Sequence, residues 1–443
     1  MISCLFLVSA FYTYIAYQNS KLRLLSPTFW ASGMFMAFSF IYLVTLFSMK
    51  SDISPFTFFA IVLFLSVTAI GEYMGNKITV KKDFSDIESE KLNIISECEG
   101  IIYISKGKVI VITIIFMIVA MDRYRNLVSI ASSYSGGGFS GIMNMMTYAR
   151  RAFVDSNRSV VLSNTVFNQL VYMCEITAYI MIFVFLFNWI SYKDKRFYLL
   201  LPLIPDLFIR FVSTSRTGFI IFVVAIIISY FWILLKKERL RKLRISPKLI
   251  IGVTIFVVVF MIYGRIRNEA KSIPVINYLQ MYTCSSIYGL EDLLQKNWDG
   301  TPYFGFYTLQ KIYSLLGIEH DVVRTWGRMV VFSKNNYHAN LYTSLSNPIM
   351  DFGIIGCMML RFFAAFIATK IISNFATKSY GKRSFYIYLF FAISMIYCYF
   401  YSATGDVFAD YFFNPGLMIR YLVYGWILVK LYLKPTVVEK GES

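Results

Sequence analysis

The sequence predicts an all-α protein that crosses a membrane about eleven times and carries one long external loop. Of its 443 residues, 57% are hydrophobic and only 15% are charged, whereas soluble domains carry about 25% charged residues. The hydrophobic residues form long blocks, and a spanning helix needs about 20 of them. A soluble enzyme, a nucleic-acid-binding domain and a disordered scaffold are therefore excluded.

Eleven hydrophobic blocks, all expected to be helices of one polytopic domain over residues 1–443, lie between short polar segments. They are 2–17, 29–48, 56–75, 107–121, 166–190, 197–213, 217–235, 249–264, 349–372, 385–403 and 417–433. Blocks 107–121 and 197–213 are the weakest because they are short. No Lys or Arg precedes the first block, whereas Lys21 and Arg23 follow it. This predicts an uncleaved first span with the N-terminus outside.

Basic residues assign the loops to the two sides of the membrane. From an outside start, the cytosolic segments are 18–28, 76–106, 191–196, 236–248, 373–384 and the C-terminal 434–443. All are rich in Lys and Arg, as cytosolic loops are expected to be. The net charge of +18 is therefore mostly an orientation signal and does not require nucleic acid as a partner.

The remaining loops, predicted outside, are 49–55, 122–165, 214–216, 265–348 and 404–416. Two are long, and loops beyond about 12–15 residues often carry function. In the longest, the stretch 303–316 is amphipathic and is expected to lie on the membrane or to cap a cavity. Its aromatic residues suit either sugar stacking or anchoring at the membrane interface.

Arginine predominates over lysine in these outside loops, and its planar fork grips phosphate bidentately. The loops contain Arg123, Arg125, Arg150, Arg151, Arg158, Arg216, Arg265, Arg267, Arg324 and Arg328. This predicts anion binding, with lipid headgroup contact and ordinary salt bridges as the alternative. Within the spans, Arg361 lies about halfway along its block, and Arg210 and Arg420 lie near outer ends. Ionisable side chains within membrane spans are expected to have a functional role.

Several kinds of site are absent from the sequence. It has no Walker A motif and no Asp-x-Asp pair, and His320 and His338 are its two histidines, so a multi-histidine metal site is excluded. Of six cysteines only Cys284 lies in a predicted outside loop, so no disulfide framework is expected. Any chemistry is expected to need no cofactor and to act on an already activated substrate.

Three segments together resemble the superfamily of O-antigen polymerases and O-antigen ligases, most closely the polymerase branch. They are Ser-Thr-Ser-Arg-Thr-Gly-Phe at 213–219, Asn-Tyr-His-Ala-Asn-Leu-Tyr-Thr at 336–343 and Asp-Phe-Gly-Ile-Ile-Gly at 351–356. The run Gly-Thr-Pro-Tyr-Phe-Gly at 300–305 is similar to such polymerases too. The resemblance extends to the overall plan, with arginine-rich external loops and one long external loop before the last three spans.

This resemblance implies a GT-C-type membrane glycosyltransferase in the inner (cytoplasmic) membrane of a bacterium. Such polymerases transfer an undecaprenyl-diphosphate-linked oligosaccharide whole to another lipid-linked repeat unit on the outer face, and undecaprenyl diphosphate leaves. The product is O-antigen or capsular polysaccharide. The implied partners are the lipid-linked glycan, membrane lipid, a chain-length regulator and a flippase.

His338 and Arg216 are the predicted catalytic residues. By resemblance to the histidine of the ligase branch, His338 would be the general base or a diphosphate contact. Arg216 lies at the outer start of a span, where a helix N-terminus favours an anion. The predicted substrate-binding residues are Arg150, Arg265, Arg267, Arg324, Arg328, Asn340 and Arg361. Asp351 is expected to cap the following span, and the alternative bases are Asp155, Glu291 and Asp292.

Two rival functions remain open. An O-antigen ligase would transfer polymer to the sugars of the lipid A core. A flippase for lipid-linked repeat units would place its cations deep between helices and would have short loops, so the 265–348 loop argues against it.

Overall fold

A computed structural model describes residues 1–20, 22–96, 100–136, 138–139, 141–155, 165–213, 217–236, 274–296, 301, 303–318 and 329–438. Over these residues the fold is predominantly helical, with almost no sheet. Over these residues, seven helices are long and apolar enough to cross a membrane. The expected all-α membrane class is thereby confirmed, while the total of eleven spans stays a prediction.

The helices, in chain order, are α1 Ile2–Asn19, α2 Pro27–Val44, α3 Pro55–Ser96, α4 Lys106–Ser135, α5 Gly141–Asp155, α6 Thr165–Tyr192, α7 Leu203–Val212, α8 Thr217–Lys236, α9 Val275–Gln295, α10 Gln310–Leu315, α11 Ser346–Thr377, α12 Arg383–Phe400, α13 Phe408–Tyr411 and α14 Pro415–Trp426. A π-helical turn, Ile427–Leu433, continues α14. The strands are β1 Ile101–Tyr103, β2 Val330–Val331, β3 His338–Ala339 and β4 Thr436–Val438. The seven candidate spans are α2, the first part of α3, α6, α8, α11, α12 and α14 with its π turn.

The other four predicted spans have different outcomes. Helices α1 and α4 cover blocks 2–17 and 107–121 but are not among the candidate spans. Block 197–213 forms a short 3-10 turn and then α7, whose ten residues rise only about 15 Å. A single spanning helix there is therefore not confirmed. Block 249–264 lies outside the described residues.

Two compact units make up the chain. Unit 1 comprises Met1–Ile94, Pro274–Lys378 and Phe391–Ile419. In it α1 and α9 both pack on α2. Helix α3 approaches α11 closely because Gly71 and Gly75 face it. A Cβ built at Gly71 would lie 2.6 Å from the carbonyl oxygen of Phe362, so only glycine permits this backbone contact.

Loops of unit 1 that the charge pattern assigns to the outside contact one another. The Lys50 N–H donates to the carbonyl of Phe332 at 3.0 Å, and Ser54 Oγ donates to Glu291 at 2.8 Å. Two segments assigned to the cytosol also meet, since Ser373 Oγ lies 3.3 Å from Asn76 Oδ1. These contacts are those expected of segments that share a side.

Unit 2 comprises Ile95–Ile273, Ser379–Phe390 and Arg420–Ser443. Phe183 lies at the centre of its aromatic core, with ring centroids 5.3 Å from Trp232 and 4.7 Å from Phe385. A second cluster, around Leu127, joins α4 to α5 and α7. Strands β1 and β4, both assigned to the cytosol, pair antiparallel.

Candidate functional site

Only some of the predicted site residues lie in the described part of the chain. Outside it are Arg216, Arg265, Arg267, Arg324 and Arg328. Arg150 belongs to α5, but its side chain is not described, and the same holds for Asp155. The roles predicted for these residues, anion binding for the arginines and proton transfer for Asp155, therefore stay predictions.

His338 and Asn340 lie on or beside a small hairpin of unit 1. His338 pairs through its backbone with Val331 across β2 and β3. Both side chains are exposed. The exposed imidazole of His338 is accessible to a substrate. Neither His338 nor Asn340 hydrogen-bonds Arg361, the third predicted site residue whose side chain is described.

Arg361 is fully buried in α11 and has a counter-ion. Its Nη2 lies 3.2 Å from Asp406 Oδ1 and also donates to the carbonyl oxygen of Ser344. The guanidinium carbon lies 3.8 Å from the ring centroid of Phe408. Sequence reasoning placed Asp406 in the outside loop 404–416, and the structure brings it into the interior of unit 1. The two charges cancel, so this arginine offers a diphosphate no free charge.

The surroundings of this pair are unusually polar for a buried site. Arg361 Nε and Nη1, Asp406 Oδ2 and the hydroxyls of Thr343, Ser344 and Ser346 are buried without a hydrogen-bond partner. Burial raises the pKa of the Asp406 carboxyl above its usual range, and the charge of Arg361 opposes that shift. Buried polar atoms without hydrogen-bond partners are rare in folded proteins, so packing alone does not explain this cluster.

The Asp351–Gly356 motif joins a loop to a broken helix. Within α11, Gly353 has φ 68° and ψ −179°, a conformation that is essentially restricted to glycine. Asp351 accepts hydrogen bonds from the backbone N–H groups of Tyr307 at 3.1 Å and Thr308 at 2.7 Å. The Asp351 carboxylate thus caps backbone N–H groups in a turn of the long loop.

The alternative bases have structural partners. Glu291 is buried and accepts from the N–H and Oγ of Ser54, just before α3 begins. Asp292 forms an ion pair with Lys296, the residue that follows the end of α9. Neither carboxylate is placed as a free proton acceptor.

Two arginines of unit 2 converge on one tyrosine at the helix ends predicted to face outward. The guanidinium carbon of Arg420, on α14, lies 4.2 Å from the ring centroid of Tyr172, on α6. Arg123, on α4, lies near enough to the same tyrosine for that side chain to affect its pKa, and the buried Nε of Arg123 has no hydrogen-bond partner. Gln169 accepts from Tyr424 at 2.6 Å and ties α14 to α6 beside them.

Neither arginine has a described counter-ion. Within the described ranges, no carboxylate forms an ion pair with Arg123 or Arg420. Burial lowers the pKa of Arg123 and the tyrosine opposes the shift, but an arginine remains protonated at neutral pH. Together Arg123, Arg420 and Tyr172 form what we call the arginine pair site, which has the charge that an anion requires.

Arg210, the third arginine near an outer end, has two carboxylates and a backbone carbonyl as partners. Its Nε donates to Asp206 Oδ2 at 2.7 Å and its Nη1 to the carbonyl of Gly218 at 2.5 Å, while Glu175 lies 3.5 Å from Nη2. It therefore holds α6, α7 and α8 together.

Sequence reasoning did not select Arg123 or Arg420 as site residues. The available signal was their shared predicted depth, at the outer ends of two spans. Arg123 and Arg420 lie near each other because α4 and α14 both pack against the face of α6 that carries Tyr172. Such packing is not visible in the sequence.

The described residues contain no group of three or more His, Cys, Asp or Glu placed to hold a metal ion. Compared with known proteins, the chain matches no family model, no curated protein and no solved structure.

Proposed function

We propose that this protein polymerises undecaprenyl-diphosphate-linked oligosaccharide repeat units on the outer face of a bacterial cytoplasmic membrane. The observation that carries the proposal is the arginine pair site, where Arg123 and Arg420 lie near Tyr172 and have no carboxylate partner among the described residues. The resemblance of segments 213–219, 336–343 and 351–356 to O-antigen polymerases supplies the substrate class.

The chemistry is one substitution at an anomeric carbon. The bond from that carbon to the diphosphate oxygen breaks, and a bond to the acceptor hydroxyl oxygen forms. Undecaprenyl diphosphate leaves with the electron pair, and the acceptor proton passes to a base. Arginines beside the departing diphosphate stabilise the charge that develops, and they do so most strongly where water is excluded.

His338 is our proposed proton acceptor. Its side chain is exposed on β3, and an imidazole nitrogen can accept the proton of an acceptor hydroxyl. Asn340, exposed two residues later, is proposed to contact the acceptor sugar. Arg361 is reassigned from substrate binding to positioning, because its charge is balanced by Asp406.

One observation favours the rival flippase. Arg361 lies fully buried within a candidate span, where a flippase would keep cations for a lipid diphosphate. The pairing with Asp406 weighs against this use, since the anion would have to displace a carboxylate.

Surface polysaccharide in a strain lacking the gene separates the three functions. A polymerase predicts single repeat units on the cell envelope, with long chains restored by the wild-type gene. Long polymer left on undecaprenyl diphosphate would identify a ligase instead. Lipid-linked single units that accumulate on the cytosolic face would identify a flippase.

A further inference from the structure

The 303–318 segment, which lies in the predicted external loop, exposes a patch of large apolar side chains. Phe304 is 71% exposed and Leu316 66%, and Leu315 and Ile318 are exposed at 55% and 46%. Loops that face only water rarely expose contiguous patches of this kind, which mark contacts with a membrane or another protein. The patch therefore calls for an apolar partner.

Charge in this segment is nearly absent. Lys311 is its one charged residue, and it pairs with Asp410 at 3.3 Å. Tyr303 and Tyr313 flank the apolar residues with ring centroids 5.1 Å apart. Low charge with tyrosines beside large apolar side chains is the composition of a segment at a membrane interface.

The patch continues an exposed apolar face of α11, a candidate membrane span. On α11, Ile355, Met359 and Phe363 recur every four residues and are 78%, 58% and 53% exposed. Residues so spaced share one helix face, and α11 is apolar and long enough to span a membrane. The ring of Phe304 lies 4.7 Å from Phe352, at the start of this stripe.

Hydrogen bonds hold the segment at this end of α11. Asp351 binds the N–H groups of Tyr307 and Thr308, and Gly305, at φ 70°, opens a turn closed by the Leu309 N–H at 2.8 Å. These hydrogen bonds thus fix the apolar side chains of the segment beside the exposed apolar stripe on α11.

We propose that the 303–318 segment lies in the outer leaflet, with Phe304, Leu315, Leu316 and Ile318 inserted among phospholipid acyl chains. The occupant is lipid because the patch is continuous with the exposed face of α11 and carries almost no charge. The 265–348 loop is then partly embedded in the membrane. The inference rests on the predicted side of this loop and not on the reaction that the protein performs.

Spin labels on single cysteines test this in lipid nanodiscs. Cys4 and Cys98 are first replaced by Ser, and the remaining native cysteines are buried. Leu316→Cys and Phe304→Cys are the test sites. Met359→Cys reports the bilayer and Asn335→Cys, an exposed polar position, reports water. Collision rates with oxygen, which concentrates in lipid, and with a water-soluble nickel chelate are then compared by electron paramagnetic resonance.

The two test sites are expected to favour oxygen, as Met359→Cys does. Collisions dominated by the nickel chelate, as at Asn335→Cys, would show that the patch faces water and would overturn the proposal. Low rates with both reagents would show that protein covers the patch, which would overturn it as well. Because two sites are labelled separately, the proposal can still be tested with one variant if the other fails to fold.

Discussion

The guanidinium of Arg361 lies 3.2 Å from the carboxylate of Asp406, which is 45 residues further along the chain. Both side chains are buried. Removing one partner of such a pair leaves a buried charge without compensation and costs about 3–5 kcal/mol. Replacing both partners by apolar groups costs far less, because no charge remains to be desolvated.

Arg361→Met and Asp406→Leu should therefore each lower the free energy of unfolding by about 3–5 kcal/mol, and the double variant should recover most of this loss. Denaturant unfolding in detergent measures the effect. Arg125→Met, at an exposed site on α4, is the control and should be near neutral. Single-variant losses that simply add in the double variant would contradict the pairing.

Replacing either member of the arginine pair site should slow polymerisation. Arg123→Gln and Arg420→Gln each remove one charged donor, for which a loss of about 100-fold or more in rate is expected. Arg125→Gln is the matched control, because this arginine lies two residues from Arg123 on the same helix and is exposed. A glycan ladder of normal length in the two test variants would remove the arginine pair site from the mechanism.

Glycine at position 71 is required by the contact between α3 and α11. Gly71→Ala places a Cβ 2.6 Å from the Phe362 carbonyl oxygen, and such overpacking costs about 1–3 kcal/mol. Thermal unfolding in detergent should show a lower midpoint. Gly33→Ala is the control, since its nearest contact would be an ordinary 3.9 Å. Equal midpoints for the two variants would argue against the close approach.

Asp351 should hold the turn of the 303–318 segment in place. Asp351→Ala removes the acceptor for two backbone N–H groups, so the amides of Tyr307 and Thr308 should exchange hydrogen faster. Asp351→Asn keeps a carbonyl acceptor and should change less. Hydrogen-exchange mass spectrometry measures both, with the β2–β3 hairpin as internal reference. Unchanged exchange in the alanine variant would contradict the assigned role.

Topology is tested by a reagent that does not cross membranes. In intact spheroplasts, an impermeant maleimide should label Asn335→Cys and leave Lys382→Cys unlabelled until the membrane is opened. Both positions are exposed, so a difference reports the side of the membrane and not burial. The reverse pattern would invert the predicted orientation.

Hydropathy predicted the all-α membrane class, because it depends on residues that are adjacent in sequence. The side of the membrane assigned to each loop stays a prediction. The pairs Lys50 with Phe332 and Asn76 with Ser373 join segments assigned in advance to the same side. The shortness of α7 escaped prediction, since an apolar block does not show where its helix begins. The Gly353 break was not predicted either, because a single glycine within an apolar block leaves the backbone conformation open.

The candidate site was harder to predict than the fold. Hydropathy indicates that Arg361 lies within a span, but it places its partner Asp406 only in the outside loop 404–416 and does not indicate that the two side chains meet. Arg123 and Arg420 were recognised as arginines near outer ends, and only the packing of α4 and α14 on α6 makes Tyr172 their common neighbour. Residues brought together by helix packing leave no local pattern in the sequence.

Release of undecaprenyl diphosphate by the purified protein tests the proposed polymerase activity most directly. Lipid-linked repeat units extracted from the deletion strain are supplied to the purified protein in nanodiscs, and free undecaprenyl diphosphate and glycan length are measured together. We expect wild-type protein to release one undecaprenyl diphosphate for each linkage formed, and the double variant Arg123→Gln/Arg420→Gln to give neither product. Wild-type protein that releases no undecaprenyl diphosphate and leaves the glycan at one repeat unit would contradict the proposed polymerase activity.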